Sequence, residues 1–477
     1  MLKMLYSLKN NNTICALATP EGAPSALGIV RLSGPMAHQI VSKIFRPSSP
    51  APILPRRIYF GGIYDGERLI DEVLVHTAAA PASFTGEDTA EINCHGSPYV
   101  QQEIMRLALD AGATPALPGE FSQRAFLHGK IDLAQAEAIA DIIASENEAA
   151  HRLAIQQMRG GFSLEIGNLR SSLLDFTSLL ELELDFSEED VSFADRDQLI
   201  ILLDKLQQTI TSLISSFSLG NVLKNGVPTV ITGATNVGKS TLLNALLGEE
   251  RAIVSDIHGT TRDTIEEEIT LEGIRFRITD TAGLRNSQEE IEQLGVVRSY
   301  QKIRTASLLL LILDVSKPEY FREQILTVAT QMDSPSQQLI VVLNKNDICA
   351  DNNIIDKVTT ILKKEKILFY SISIISAKNN IGIDSLKKLL ASAIRTRFDS
   401  THLPPNAILV TNLRHLHALQ EAQKALNRVR EGLISLLPTD LIAQDLRQAL
   451  YDLGSITGDI TTEEILGNIF GKFCIGK

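Results

Sequence analysis

The chain has 477 residues, 44% of them hydrophobic and 21% charged, which is too long for one core at roughly 150 residues per domain and excludes wholesale disorder. A formal net charge of −12 excludes a broadly basic surface that coats nucleic acid through phosphate contacts alone, so any RNA contact is local or shared with a partner. The four cysteines, Cys15, Cys94, Cys349 and Cys474, contain no CxxC pair; this argues against a zinc knuckle or disulfide framework and fits a reducing cytosol.

No secretory signal is expected, because residues 1–13 lack the apolar stretch that such a signal needs. From there to about residue 125, short apolar runs at 26–32, 73–77 and 90–94 alternate with Gly and Pro punctuation and a helical stretch at 101–111, predicting an α+β domain. Between 130 and 220 the apolar residues recur at helical spacing, through Ile131, Ala134, Ala138 and Ile142, then Leu169, Leu173, Phe176 and Leu180, then Leu199, Leu203, Leu206 and Ile210. A break is expected at Gly220-Asn221 and again at Asn225-Gly226-Val227-Pro228. Strands are predicted at 229–232, 274–279, 308–314, 339–344 and 368–374, alternating with helices or loops as in a mainly parallel α/β sheet. The longest apolar run, 308–313, is strand-sized and far short of the roughly 18 residues that cross a bilayer. After Leu403-Pro404-Pro405 amphipathic helices return, with Leu413, Leu416, Leu419 and Leu426 on one face.

The chemistry-bearing motifs lie in the α/β segment. Gly233-Ala234-Thr235-Asn236-Val237-Gly238-Lys239-Ser240 fits G-x4-G-K-[ST] between a strand and a helix starting near Leu242, with Thr241 completing the helix entry. Its glycines let backbone N–H groups curl around phosphates, Lys239 meets the β- and γ-phosphates, and Ser240 ligates Mg2+. Asp280-Thr281-Ala282-Gly283 ends the next predicted strand, where a metal-side carboxylate and a γ-phosphate-sensing glycine belong. Asn344-Lys345-Asn346-Asp347 ends another, and a carboxylate there can accept two hydrogen bonds from guanine that adenine does not offer. Ser376-Ala377-Lys378 follows the last strand and would close the base pocket. In Gly259-Thr260-Thr261-Arg262-Asp263, Thr261 is the expected second Mg2+ ligand. Four motifs in sheet order point to a guanine-nucleotide hydrolase. Leu284 stands where Ras-like GTPases hold a water-orienting glutamine, so another group must position the water.

The strings 259–263 and 280–285, together with the helical flanks and the terminal Cys474-Ile475-Gly476-Lys477, resemble the MnmE (TrmE) family of tRNA-modification GTPases. So do Ser83-Phe84-Thr85-Gly86-Glu87-Asp88, the segment from Pro118 to Phe126, and the segment from Lys130 to Asp141. The resemblance spans nearly the whole chain. It implies a multidomain fold: an α+β N-terminal folate-binding and dimerisation domain over 1–128, an all-α helical domain from 129–222 plus 396–477, and an inserted α/β P-loop GTPase domain, Ras-like with a mainly parallel sheet, over 223–395.

The same resemblance implies GTP hydrolysis coupled to modification of carbon 5 of the wobble uridine in certain tRNAs. The product carries a carboxymethylaminomethyl- or aminomethyl-type group, and the one-carbon donor is a reduced folate, 5-formyl- or methylene-tetrahydrofolate. It also implies a cytoplasmic homodimer that joins an MnmG (GidA)-type flavoprotein in a heterotetramer or larger complex. By motif position, Arg31, Glu91, Lys130 and Lys477 look like folate-site residues; their charges suit the carboxylates and pterin edge of a folate. Asn236, Ser255, Ile257 and Thr260 match the family's K+ positions, and Glu292 its water-orienting glutamate. Cys474 is open to two readings, a nucleophile on the tail or a residue that packs the tail near the folate pocket. His95 is expected to be a packed loop histidine. Two rival functions stay open: a regulatory or ribosome-assembly GTPase switch without one-carbon chemistry, and an RNA-binding scaffold that keeps a GTP pocket without turnover.

Overall fold

The computed structural model describes residues 12–20, 22, 24–49, 54–185, 196–248, 266–280, 302–304, 306–332, 337–348, 353–399, 408–435, 437–474 and 476. The chain begins with strands β1 (Ile14–Leu17) and β2 (Ser25–Ser33), helix α1 (Ala37–Ile44), and strands β3 (Phe45–Pro47), β4 (Arg57–Asp65), β5 (Arg68–Ala78) and β6 (Thr89–Gly96). Helix α2 (Pro98–Asp110), strand β7 (Thr114–Pro115) and helix α3 (Glu120–Leu127) follow. Four helices come next, α4 (Leu133–Ala144), α5 (Glu148–Met158), α6 (Gly161–Asp185) and α7 (Arg196–Asn225). The α/β segment then runs β8 (Val227–Thr232), α8 (Lys239–Leu247), β9 (Glu266–Leu271), β10 (Ile274–Asp280), β11 (Leu308–Asp314), α9 (Phe321–Ala329), β12 (Gln338–Asn344), α10 (Ile354–Lys364), β13 (Ser371–Ile374) and α11 (Ile383–Asp399). The chain closes with helices α12 (Leu413–Ile434), α13 (Thr439–Thr457) and α14 (Glu463–Phe470). The architecture is multidomain: an α+β N-terminal part, a helical part and a P-loop α/β part.

By contact the chain forms two compact units, one from Met1–Ala144, Ala154–Thr211 and Arg414–Lys477, the other from Ser145–Leu153 and Ser212–Leu413. In the first, strands order as β3-β4-β5-β6-β2-β1-β7. Alternation decides which side is buried: Val30, Leu32, Val73, Val75 and Ile92 form one face and pack with Ile40, Val41 and Ile104 of α1 and α2. On the other face of β4 and β5, Ile58, Phe60 and Leu74 stay exposed, Phe60 directly opposite Leu74. A second core joins Phe126 and Leu133 to Leu466, Ile469 and Phe470, so α14 seats on residues more than 300 positions earlier in the chain.

One buried ionic cluster ties the two chain segments of the helical part together. Glu137 of α4 accepts a hydrogen bond from Arg414 Nε at 2.9 Å, and its other oxygen lies 2.7 Å from His415 Nε2. Arg414 also donates to the carbonyls of Ser455 and Ile456 at 2.6 and 2.9 Å, satisfying two acceptors at the end of α13. His415 is 1% exposed and its ring lies 5.0 Å from that of Phe162. Burial alone would raise the Glu137 carboxyl, but His415 and Arg414 outweigh it and hold it down at about 2.

In the second unit the strand order is β13-β12-β11-β8-β10-β9, parallel except for the β9–β10 hairpin. All seven residues of β11 are buried, which is why its sequence reads as a continuous apolar run rather than an alternating one. Three expectations are corrected here. The break expected at Gly220-Asn221 does not occur: α7 continues to Asn225 and stops at Gly226, whose φ is +81°. Gly220 serves close approach instead, since a Cβ there would collide with the Val410 carbonyl. The last strand covers only Ser371–Ile374, starting later than residue 368, and Leu413 is 70% exposed rather than sharing the buried face of Leu419 and Leu426.

The Glu137 cluster makes a stability prediction with a definite sign. A carboxyl lowered from 4.5 to about 2 on folding contributes on the order of 3 kcal/mol, fully present above pH 5 and lost as pH falls toward 2. Glu137→Gln should therefore melt well below the native chain at pH 7, and the gap in Tm should narrow steadily between pH 5 and pH 3.

Candidate functional site: the P-loop end of the parallel sheet

The C-terminal ends of β8, β11 and β12 and the turn after β13 bring four separate segments together. The turn at 233–238 is shaped by Gly233 at φ +148°, Asn236 at φ +63° and Gly238 at φ +99°. A side chain at Gly233 would strike the Ile312 carbonyl, and one at Gly238 would strike the Asn344 amide, so only glycine lets the loop lie this close to the sheet. Val237 is buried and anchors the loop, whereas Asn236, Ser240 and Thr241 are exposed at its rim and at the start of α8. Lys239 turns back over the loop and donates to the carbonyls of Gly233 and Ala234 at 2.9 and 2.6 Å. The loop's glycine-shaped cradle, the helix N-terminus beneath it and the lysine over it are the donor set that a phosphate chain requires.

Asn344 is the cross-link of this site. It is 3% exposed, its Nδ2 donates to the Val237 carbonyl at 2.8 Å, and its Oδ1 accepts the Ala377 N–H at 2.9 Å. One side chain thus fixes the P-loop to the turn after β13. In that turn Ser376 Oγ donates to Asp347 Oδ1 at 2.5 Å, and Lys378 is exposed beside it. Lys345 sits at φ +68° and pairs with Asp314 at 2.7 Å. β10 reaches Asp280, whose backbone pairs with Ile231 just before the P-loop. Ser255, Ile257, Thr260, Thr261, Thr281, Ala282, Gly283, Glu292 and Lys477 lie outside the described residues. Among the described residues no group of three or more His, Cys, Asp or Glu side chains could hold a metal ion.

The remaining candidates lie in the first unit. Arg31 and Glu91 are directly opposite each other on β2 and β6, and Arg31 Nε donates to Glu91 Oε1 at 2.8 Å. Arg31 also donates to the Gly476 carbonyl at 3.2 Å and lies 5.7 Å from the centre of the Phe121 ring. The C-terminal tail therefore reaches the Arg31–Glu91 pair. Two glycines admit it: Gly476, at φ +92°, lies too close to the Leu17 carbonyl for any side chain, and Gly119, at φ +67°, donates its N–H to the Cys474 carbonyl at 3.3 Å. Cys474 is exposed, in contrast to Cys15 and Cys94, whose thiols burial pushes up to about 11. Lys130 donates to the Pro81 carbonyl at 3.0 Å and so holds the loop before β6.

The specific strings of the N-terminal part also have a physical role. Arg124 is 4% exposed and donates to Glu87, Glu120 and the Asn12 carbonyl, while Ser33 bonds Glu87 and Thr85. This buried network locks the 83–88 loop to α3. His95 departs from expectation: it lies on β6 with a side chain 69% exposed, its Nδ1 2.7 Å from Asp71 Oδ1.

The family model described as the MnmE helical domain matches residues 133–474, and that of the GTP-binding protein TrmE N-terminus matches residues 13–130. The chain belongs to the MnmE family. Full-length relatives named tRNA modification GTPase MnmE agree with this. That of Cytophaga hutchinsonii is 50% identical, covering 98% of both chains. Those of Bacteroides thetaiotaomicron and Christiangramia forsetii are 48% and 47% identical, covering 98% of this chain and all of theirs. This MnmE-family chain is a GTPase. Among its described residues no helix is long and apolar enough to cross a membrane.

The sequence reading missed Phe121 beside Arg31, Asp314 beside Lys345, and the two glycines that seat the tail. Only Asp314 left a signal, a lone carboxylate closing an otherwise apolar strand.

The tail's seat is testable. A Cβ on Gly119 would stand 2.6 Å from the Phe470 carbonyl, and the positive φ adds strain. Gly119→Ala should raise hydrogen exchange of the segment around 472–474 at least about tenfold without changing GDP affinity. Unchanged exchange would show that the tail is held by other contacts.

Proposed function

We propose that this chain hydrolyses GTP in support of a tRNA modification at carbon 5 of the wobble uridine, adding a carboxymethylaminomethyl- or aminomethyl-type group whose carbon comes from a reduced folate. The observation that carries this reading is the joint presence, in an MnmE-family chain, of a P-loop cross-linked by Asn344 and of a C-terminal tail whose Gly476 carbonyl meets Arg31, the partner of Glu91. The relatives' name supports tRNA as the substrate. A cytosolic setting follows from that substrate.

In this reading the P-loop backbone from Asn236 to Thr241 binds the phosphates, and Lys239 leaves the loop carbonyls to meet them. Ser240 and Thr261 hold Mg2+, and Asn236, Ser255, Ile257 and Thr260 offer oxygens to K+. When bound, these cations supply positive charge to the transferring phosphate, as an arginine finger does elsewhere. Asp280, Thr281, Ala282 and Gly283 sense the γ-phosphate. Glu292 orients the attacking water, which answers the leucine at position 284. Asn344, Lys345, Asp347, Ser376, Ala377 and Lys378 form the guanine pocket, with Asp347 accepting from the base.

Arg31, Glu91, Lys130 and Lys477 bind the folate. Their charges suit its carboxylates and pterin edge, and the ion pair between Arg31 and Glu91 keeps both groups oriented before it arrives. Cys474 stands on the tail as a candidate nucleophile. The exposed Ile58, Phe60 and Leu74 face supports homodimerisation through the N-terminal part. An MnmG (GidA)-type flavoprotein joins the dimer and carries much of the tRNA contact, in keeping with the net charge of −12.

Nucleoside mass spectrometry of tRNA from cells lacking this chain, complemented by the native form, Asp280→Ala or Lys477→Ala, tests the proposal. Only the native form should restore the modified wobble uridine; an unchanged profile in the deletion strain would leave a GTPase switch with another client. Hydrolysis by the purified chain should run at least about tenfold faster in KCl than in NaCl at equal ionic strength. Equal rates would remove K+ from the scheme.

A further inference from the structure

Asp314 belongs to none of the nucleotide motifs, yet it stands at the sheet end where they meet. It closes β11 and is paired in register with Asn344 at the end of β12, one residue before Lys345. Its carboxylate is 7% exposed and uses both oxygens. Oδ2 accepts from Lys345 Nζ at 2.7 Å, and Oδ1 accepts from the N–H and hydroxyl of Ser316 at 3.0 and 2.6 Å. Burial would raise the Asp314 carboxyl, but the Lys345 and Ser316 hydrogen bonds hold it below the ordinary carboxylate range, so it stays charged at neutral pH.

Lys345 needs such an anchor. Its backbone lies in the left-handed region at φ +68°, unusual for a residue with a side chain, and its side chain is only 30% exposed. A lysine carries many rotamers, and a free ammonium would let its four-carbon stem sample them all. Tied at the tip by Asp314 and at the base by the strained backbone, the stem is held in one direction as a flat apolar wall. Under the reading of Asn344, Lys345 and Asp347 as the guanine pocket, a stem held that way gives the flat face of the base an apolar surface to pack on.

We propose that Asp314 is a positioning residue for guanine-nucleotide binding, holding the Lys345 side chain in place before the nucleotide enters. This rests on the reading of Asn344, Lys345 and Asp347 as the guanine pocket. Asp314 does not touch the base, so it contributes affinity without choosing among purines. That choice belongs to Asp347. Asp314 and Lys345 act as one unit.

The test measures affinities of the full-length chain for GDP and for IDP, which lacks the exocyclic amine. Asp314→Asn should weaken both about tenfold, the scale of losing a charge-assisted hydrogen bond, and leave the GDP-to-IDP ratio at its native value. Lys345→Met should weaken both similarly, and the double variant should bind no worse than Lys345→Met alone. Asp347→Ala should collapse the ratio. If Asp347→Ala leaves the ratio unchanged, the guanine-pocket reading falls and the proposal with it. If that ratio collapses but Asp314→Asn binds GDP like the native chain, or if the two losses multiply in the double variant, the proposal alone is overturned. Ser316→Ala separates positioning from local folding, because it removes a bond to Asp314 and leaves the Lys345 pair; it should retain native GDP affinity, and a loss as large as that of Asp314→Asn would overturn the proposal.

Discussion

The P-loop end of the parallel sheet depends on the Asn344 side chain. Its amide is buried at the end of β12 with one end on the P-loop carbonyl of Val237 and the other on the Ala377 N–H. Two loops distant in sequence thereby share one rigid support. The arrangement also explains Gly238, since the amide occupies the space that a side chain there would need. A donor and an acceptor on one planar group can satisfy two backbone partners at once, which a carboxylate or an ammonium in the same place could not. Preorganisation of this kind matters because phosphoryl transfer offers the protein little covalent work and much positioning work.

The helical part meets a different constraint, because its residues come from chain segments far apart in sequence. Hydrophobic packing between α6 and α13 closes it, and the Glu137, Arg414 and His415 cluster sets the alignment. Apolar surfaces slide at little cost, whereas a buried carboxylate held by both an arginine and a histidine tolerates one register. Arg414 lies in the first turn of α12 and also caps α13, so one side chain ties the start of one helix to the end of the other.

The N-terminal part shows how a specific string can be structural and still serve a site. Ser33, Thr85, Glu87, Glu120 and Arg124 bond to one another, and Arg124 also to Asn12, holding the loop before β6 and helix α3 in one arrangement. That arrangement sets Phe121 beneath Arg31 and Gly119 beneath the tail. The polar network is thus one step behind the Arg31 and Glu91 pair, supporting it without sharing its surface.

The sequence alone determined the element types and the nucleotide chemistry, because helical period, buried parallel strands and glycine-dependent phosphate loops are local properties. Strands β8, β10, β11 and β12 and the motifs at their ends were legible for that reason, as was the family, whose strings are contiguous; β9, the antiparallel partner of β10, was not predicted. Only the tertiary structure decided what depends on pairing between distant segments. The register that sets Arg31 against Glu91, the partnership of Asp314 with Lys345, and the seating of the tail by Gly119 and Gly476 left no periodic trace in the chain. Gly220 misled because the same missing Cβ that ends helices also admits a neighbouring backbone, and only the position of Val410 distinguishes the two uses. His95 misled for a related reason: alternation along β6 turned it outward toward Asp71, and a strand's outward face is set by what packs on its other side.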